Sequence, residues 1–186
     1  MHTIEGDGRA AGYRFALVVS KYHGFVTERL QAAALAALSA AGAPSEGITI
    51  VRVPGAFEIP LAAQHLAESG RYDAIICLGC LLRGDTAHYD VIVNEVARGV
   101  GQSAQETGVA HAFGVLTCET LEQAIDRAGL KMGNKGFEAA LAAVEMANLK
   151  KAVVGRWSLV VGKAKSRSRS LSTKARSAKA RKKPRS

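Results

Sequence analysis

Two short segments combine glycine with groups that bind or move charge. In Leu82-Arg-Gly-Asp-Thr-Ala-His88, Gly84 lets an anion come close to the backbone, and Thr86 adds a hydroxyl donor. The free N–H groups of a helix start would favour negative charge just beyond them. A P-loop is excluded, because the Gly-x-x-x-x-Gly-Lys spacing is absent. Asp85 would repel a phosphate, so its N–H is expected to face in and its carboxylate out. His88 can exchange a proton near neutral pH; alone, it reads equally well as structural. In Val53-Pro-Gly-Ala-Phe-Glu-Ile-Pro60, Gly55 permits a tight turn, and Phe57 and Glu58 present an apolar face and a carboxylate. An exposed glutamate in an ordinary turn is the plain alternative. Further on, the fork of Arg127 suits phosphate, and Lys135 in Asn134-Lys-Gly136 supplies a second mobile charge. Taken singly, both also fit a solvated surface. Cys77-x-x-Cys80 resembles a redox pair, but such pairs open helices, whereas this one falls in and just after an apolar strand. Only Cys118 remains to complete a zinc site, so buried structural thiols and no metal are expected.

These residues need elements to hold them. Short apolar runs at 14–20, 48–53, 73–79 and 111–117 have strand length. Helices are predicted over 27–41, 60–69, 88–107, 120–128 and 135–150. Thr27 is the expected cap of the first and Thr120 of the fourth; Pro60 suits a first turn; Gly42, Gly70, Gly108 and Gly129 are the expected stops. Apolar strands alternating with helices predict a parallel sheet covered on both faces, an α/β three-layer, flavodoxin-like doubly wound domain with four parallel strands. Ligands of such sheets bind beyond the carboxyl ends of the strands. That rule selects Tyr22-His23, Ala56-Phe57-Glu58 and the stretch from Cys80 to His88.

Charge divides the 186 residues into two expected parts. Residues 155–186 hold 12 of the 25 Lys and Arg and none of the 16 acids, leaving 13 basic and 16 acidic residues, a net of −3, in residues 1–154. A mildly acidic body over 1–154 is thus followed by a basic low-complexity tail, expected to be disordered in isolation. No run approaches the roughly 20 apolar residues of a membrane helix. The opening Met-His-Thr-Ile-Glu-Gly-Asp lacks the basic start and apolar run of a secretory signal. Three cysteines are too few for a disulfide scaffold, and a reducing cytoplasm is the simplest compartment.

Four segments occur in a telling order and spacing: 53–60; Leu78-Gly79 with Arg83-Gly-x-Thr-x-His88; Gly114-Val-Leu-Thr117 with Glu122-Gln-Ala124; and Arg127-Ala128 with Asn134-Lys-Gly136. Over about residues 12–151 the chain strongly resembles the 6,7-dimethyl-8-ribityllumazine synthase family. The resemblance implies condensation of 5-amino-6-(D-ribitylamino)uracil with 3,4-dihydroxy-2-butanone 4-phosphate, releasing phosphate and water, without a cofactor. It implies that Tyr22 stacks on the pyrimidine, where the family more often has Phe or Trp, and that Ala56, Phe57 and Glu58 bind the ribitylamino-uracil. It places Cys80, Leu81 and Leu82 against the ring through backbone groups, Asp85 and Thr86 in a phosphate loop, and His88 as proton donor. It makes Phe113, from an adjacent subunit, an apolar wall, Arg127 a phosphate ligand and Lys135 its neighbour. His23 departs from the family's usual Asn.

The resemblance also implies pentamers, stacked in some members into hollow 60-subunit shells. The loop from Gly129 to Asn134 is short, as in shell formers, and the proline-free stretch over 3–12 could add an edge strand to a neighbouring sheet. Two other readings stay open on the residues alone. One is a flavin or nucleotide binder without turnover. The other is a shell-forming protein whose tail binds nucleic acid non-specifically.

Overall fold

A computed structural model describes residues 1–131 and 133–154; the expected tail lies outside the described residues. Strands β1 (Phe15–Ser20), β2 (Ile48–Val53), β3 (Ala74–Leu82) and β4 (Ala110–Cys118) form one parallel sheet in the order β2-β1-β3-β4. Phe15 stands opposite Ile48 on one side and Ala74 on the other, and Leu82 pairs with Cys118. Helices α1 (Gly24–Ala40), α2 (Ile59–Glu68), α3 (His88–Thr107) and α4 (Leu121–Arg127) follow the strands, and the chain is again helical over 135–154, here α5.

Because successive strand residues point to opposite faces, the sheet sorts its apolar side chains into two cores. Phe15, Leu17, Ile76, Leu78 and Cys80 pack with α1, α4 and α5. Ala16, Val18, Ile75, Cys77 and Val115 pack with α2 and α3. β1 is buried at all six positions, which explains why its sequence is apolar from Phe15 to Val19. The three expected layers are present.

Two glycines set how closely the layers fit. A Cβ on Gly136 would stand 2.1 Å from the Leu30 carbonyl oxygen, so the start of α5 touches the backbone of α1. A Cβ on Gly99 would stand 2.8 Å from Pro60, which lets α3 press against the first turn of α2.

Most expected boundaries hold. Gly42, Gly70, Gly108 and Gly129 all have φ between 63° and 108°, the left-handed region that ends helices. Thr120 caps α4, its hydroxyl accepting from the Gln123 N–H at 3.4 Å. Thr27 does not cap α1. The helix starts three residues earlier, with His23 at its cap in a left-handed conformation (φ 56°) and the His23 carbonyl accepting from the N–H of both Val26 and Thr27. Thr27 is fully buried within the first turn.

Residues 1–12 form no strand. Part of this segment is held by its own chain: the Asn148 side chain donates to the carbonyls of Asp7 (3.1 Å) and Arg9 (2.9 Å) and accepts from the Tyr13 hydroxyl at 2.9 Å. The Ala10 N–H donates to the Ala41 carbonyl at 2.8 Å.

Candidate active site

The carboxyl ends of β1, β2 and β3 open into a cavity of about 430 Å³. Tyr22, Ala56, Phe57, Cys80, Leu81, Leu82, Thr86 and His88 all line it, as the sequence led one to expect. Tyr22 and Phe57 are 67% and 55% exposed, so two aromatic faces stand open at its mouth. Glu58 and Asp85 are exposed and lie outside the lining. The Glu58 carboxylate folds back to accept from the Gly55 N–H at 2.9 Å, which a side chain at position 55 would crowd. His88 opens α3, and its N–H donates to the Thr86 hydroxyl at 3.4 Å. The helix start thus holds the Thr86 hydroxyl at the cavity wall, beside His88.

Phe113, Arg127 and Lys135 are not in this cavity. They line a second one, of about 650 Å³, beyond β4, with Gln123 and Asp126. Arg127 ends α4, and its charge favours the thiolate of nearby Cys118 against the effect of burial. Among the described residues Arg127 has no carboxylate partner, whereas Lys135 pairs with Glu138. Asn134 organises this corner. Its amide donates to the Ala128 carbonyl at 2.7 Å, and its oxygen accepts from the Gly136 N–H at 2.8 Å. One side chain therefore joins the end of α4, which carries Arg127, to the start of α5, which carries Lys135.

A model of 6,7-dimethyl-8-ribityllumazine synthase matches residues 12–151. Over 146 residues the chain is 54% identical to the 6,7-dimethyl-8-ribityllumazine synthase of Desulfotalea psychrophila, a match that spans 78% of this chain and 94% of that protein. The chain belongs to the 6,7-dimethyl-8-ribityllumazine synthase family. It is therefore a transferase of riboflavin biosynthesis. The matched region ends before the basic tail, and within it this lumazine synthase family member keeps the flavodoxin-like fold already described. Among the described residues no helix is long and apolar enough to cross a membrane.

Cys77 and Cys80 cannot act as a pair. Three residues apart on one strand, they face opposite cores, and burial pushes each thiol up to about 12. Cys80 lies inside β3, which runs three residues past its expected end. No group of three or more His, Cys, Asp or Glu among the described residues could hold a metal ion.

Sequence reasoning missed several parts of the first cavity. Tyr89 and Ile92 line it beside His88; the four-residue helical step from His88 to Ile92 was the available signal. His23, which the strand-end rule did select, lines it too, its ring edge-on to Tyr22 with centroids 4.5 Å apart, and burial lowers its pKa. A left-handed backbone is one that His tolerates better than most residues, which fits its place at the cap of α1. Arg83 was noted only as part of a motif, yet it holds two carboxylates at once.

Proposed function

We propose that the family's condensation takes place in a site assembled from two copies of the chain, the His88 cavity of one meeting the Arg127 cavity of its neighbour. The observation that carries this reading is the division of chemistry between the cavities. The His88 cavity has aromatic faces, hydroxyls and the imidazoles of His23 and His88, but no Lys or Arg in its lining. A phosphorylated substrate needs a cation, and Arg127 and Lys135 stand with Phe113 in the other cavity. A head-to-tail contact that repeats this pairing satisfies every copy when its rotation closes into a ring. A pentamer meets that requirement, and the short 129–134 loop favours stacking of pentamers into a 60-subunit shell.

In the assembled site Tyr22 stacks on the pyrimidine of 5-amino-6-(D-ribitylamino)uracil. Ala56, Phe57 and Glu58 hold its ribityl chain, and Cys80, Leu81 and Leu82 present backbone groups to the ring. Asp85, through its N–H, and Thr86 bind the phosphate of 3,4-dihydroxy-2-butanone 4-phosphate together with Arg127; Lys135 adds charge, and Phe113 closes the wall. Amine attack on the ketone gives a carbinolamine and, with loss of water, an imine. His88 supplies the proton shuttling that dehydration and phosphate elimination need. Holding both substrates in register supplies much of the rate. The reaction runs in the cytoplasm, where three buried thiols stay reduced.

Mixing purified protein with both substrates and following lumazine absorbance tests the activity. Light scattering at neutral pH in phosphate tests the assembly. A monomer that turns over at full rate would overturn the two-copy site, and a species near five subunits would overturn the shell.

A further inference from the structure

Arg83 is the most heavily engaged polar side chain near the His88 cavity. Its backbone N–H donates to the Cys118 carbonyl at 2.9 Å, extending the β3–β4 ladder by one bond. Its two terminal nitrogens donate to the two oxygens of Asp90 at 3.0 and 2.8 Å, and its Nε pairs with Glu119 at 2.6 Å. The guanidinium also lies over the Tyr89 ring, 4.3 Å from its centroid. One residue thus joins the end of β3, the first turn of α3 and the residue after β4.

The segment this clamp encloses has little else to hold it. Among the described residues Gly84 and Asp85 make no hydrogen bond, and Thr86 makes only the local one to the His88 N–H. The path from Leu82 to His88 is therefore set at its ends, by Arg83 and by α3. Single exposed ion pairs are weak, but a bidentate fork within a network is the geometry that keeps its shape. Both carboxylates also neutralise the guanidinium, so Arg83 is not a free cation for a ligand.

We propose that Arg83 is a positioning residue. It holds the 84–88 loop so that Thr86 and His88 face the cavity, and it makes no contact with the phosphate itself. The proposal rests on the reading of the His88 cavity as catalytic.

The test uses the full-length protein with Arg83→Lys, which keeps the charge and loses the fork, and Asp90→Asn, which keeps the shape and loses the ion pair. Both should raise the KM for butanone phosphate by roughly tenfold and lower kcat, with the KM for the uracil substrate within about twofold of the parent. Amide hydrogen exchange should quicken by about tenfold over 84–88 and stay unchanged in β1 and α5. Unchanged exchange over 84–88 in both variants overturns the proposal. So does faster exchange with unaltered kinetic constants, because the clamp would then be structural alone. If the parent protein makes no lumazine, the catalytic reading of the cavity fails, and the exchange measurement still decides whether Arg83 holds the loop.

Discussion

The carboxamide of Asn134 donates to the carbonyl of Ala128 at 2.7 Å across a turn of six residues. The same amide reaches the Arg29 carbonyl at 3.3 Å, and its oxygen accepts from the N–H of Gly136 and Phe137 at the start of α5. Asn134 is thus both a helix cap and a tie between α1, α4 and α5. Asn134→Ala should cost about 2 kcal/mol, the sum of a lost cap and an unpaired carbonyl. Asn134→Asp keeps the cap and should fall between parent and alanine. Denaturant unfolding at fixed protein concentration checks the order. Equal stability of the Ala and Asp variants would show that the accepted cap bonds contribute nothing, and an Asp variant as stable as the parent would show the same of the donated bonds.

A site shared between copies makes a second prediction. His88→Ala should slow turnover by roughly 10- to 1,000-fold, because general acid–base help is lost while water and phosphate partly substitute. Arg127→Ala should mainly weaken butanone-phosphate binding. When the two variants are co-assembled at equal amounts, about a quarter of the sites in a closed ring receive His88 from one copy and Arg127 from the next. Activity at low butanone phosphate should then exceed that of either variant alone. Activity no greater than the average of the two would place both residues in one chain's site.

Much of the fold was legible because local signals and burial agreed. β1 up to Val19 and the whole of β3 are apolar because helices cover both sheet faces, and Gly108 and Thr120 mark helix ends by conformation and hydrogen bonding alone. Thr27 misled because a good capping residue also fits a buried first turn; the true start is set by the left-handed turn at His23, which has no strong sequence mark. The cavity residues Tyr22, Phe57, Thr86 and His88 were legible from the strand-end rule. The division between two cavities was not: Arg127 and Lys135 read as neighbours in sequence, but only the sheet order shows that β4 separates them from His88. The Arg83 clamp joins residues 7 and 36 positions apart, beyond any local pattern.

His111 predicts a pH dependence of stability. It is more than half buried near the amino end of β4, with Nε2 2.9 Å from the Ser103 hydroxyl and Nδ1 2.8 Å from the Val109 carbonyl. Burial lowers its pKa, and hydrogen bonds to the Val109 and Ala110 backbone only partly oppose this. In the unfolded chain the imidazole protonates as pH falls through about 6.5. The folded form stays neutral to lower pH, so the unfolded state binds more protons and stability falls with pH in that window. His111→Asn, which can keep the Val109 bond, should flatten the slope below pH 6.5. Some slope should remain, because burial lowers His23 in the same direction. Parallel slopes for parent and variant would remove His111 from the account.

The basic tail makes the last prediction. Residues 155–186 carry 12 Lys and Arg and no acid, against a body of net charge −3. The proposed ring or shell would present many such tails together, so weak contacts to a polyanion would gain by avidity. Ser166, Ser168 and Ser170 alternate with Arg167 and Arg169, which offers hydrogen bonds but no aromatic platform for base stacking. Binding should therefore be blind to sequence and carried by phosphate contacts. Each neutralised phosphate releases counterions, so affinity should fall steeply with salt. RNA or DNA should co-purify at low salt and be stripped at high salt. Deletion after Gly162 removes 11 of the 12 cations and lies beyond the residues matched by the family model. It should abolish retention of nucleic acid and leave lumazine formation intact. The ratio of absorbance at 260 to 280 nm after low-salt purification reads the first outcome directly. Equal retention by full-length and truncated proteins would assign the binding to the body instead, and a matching loss of lumazine formation would show that the tail supports the fold or the assembly.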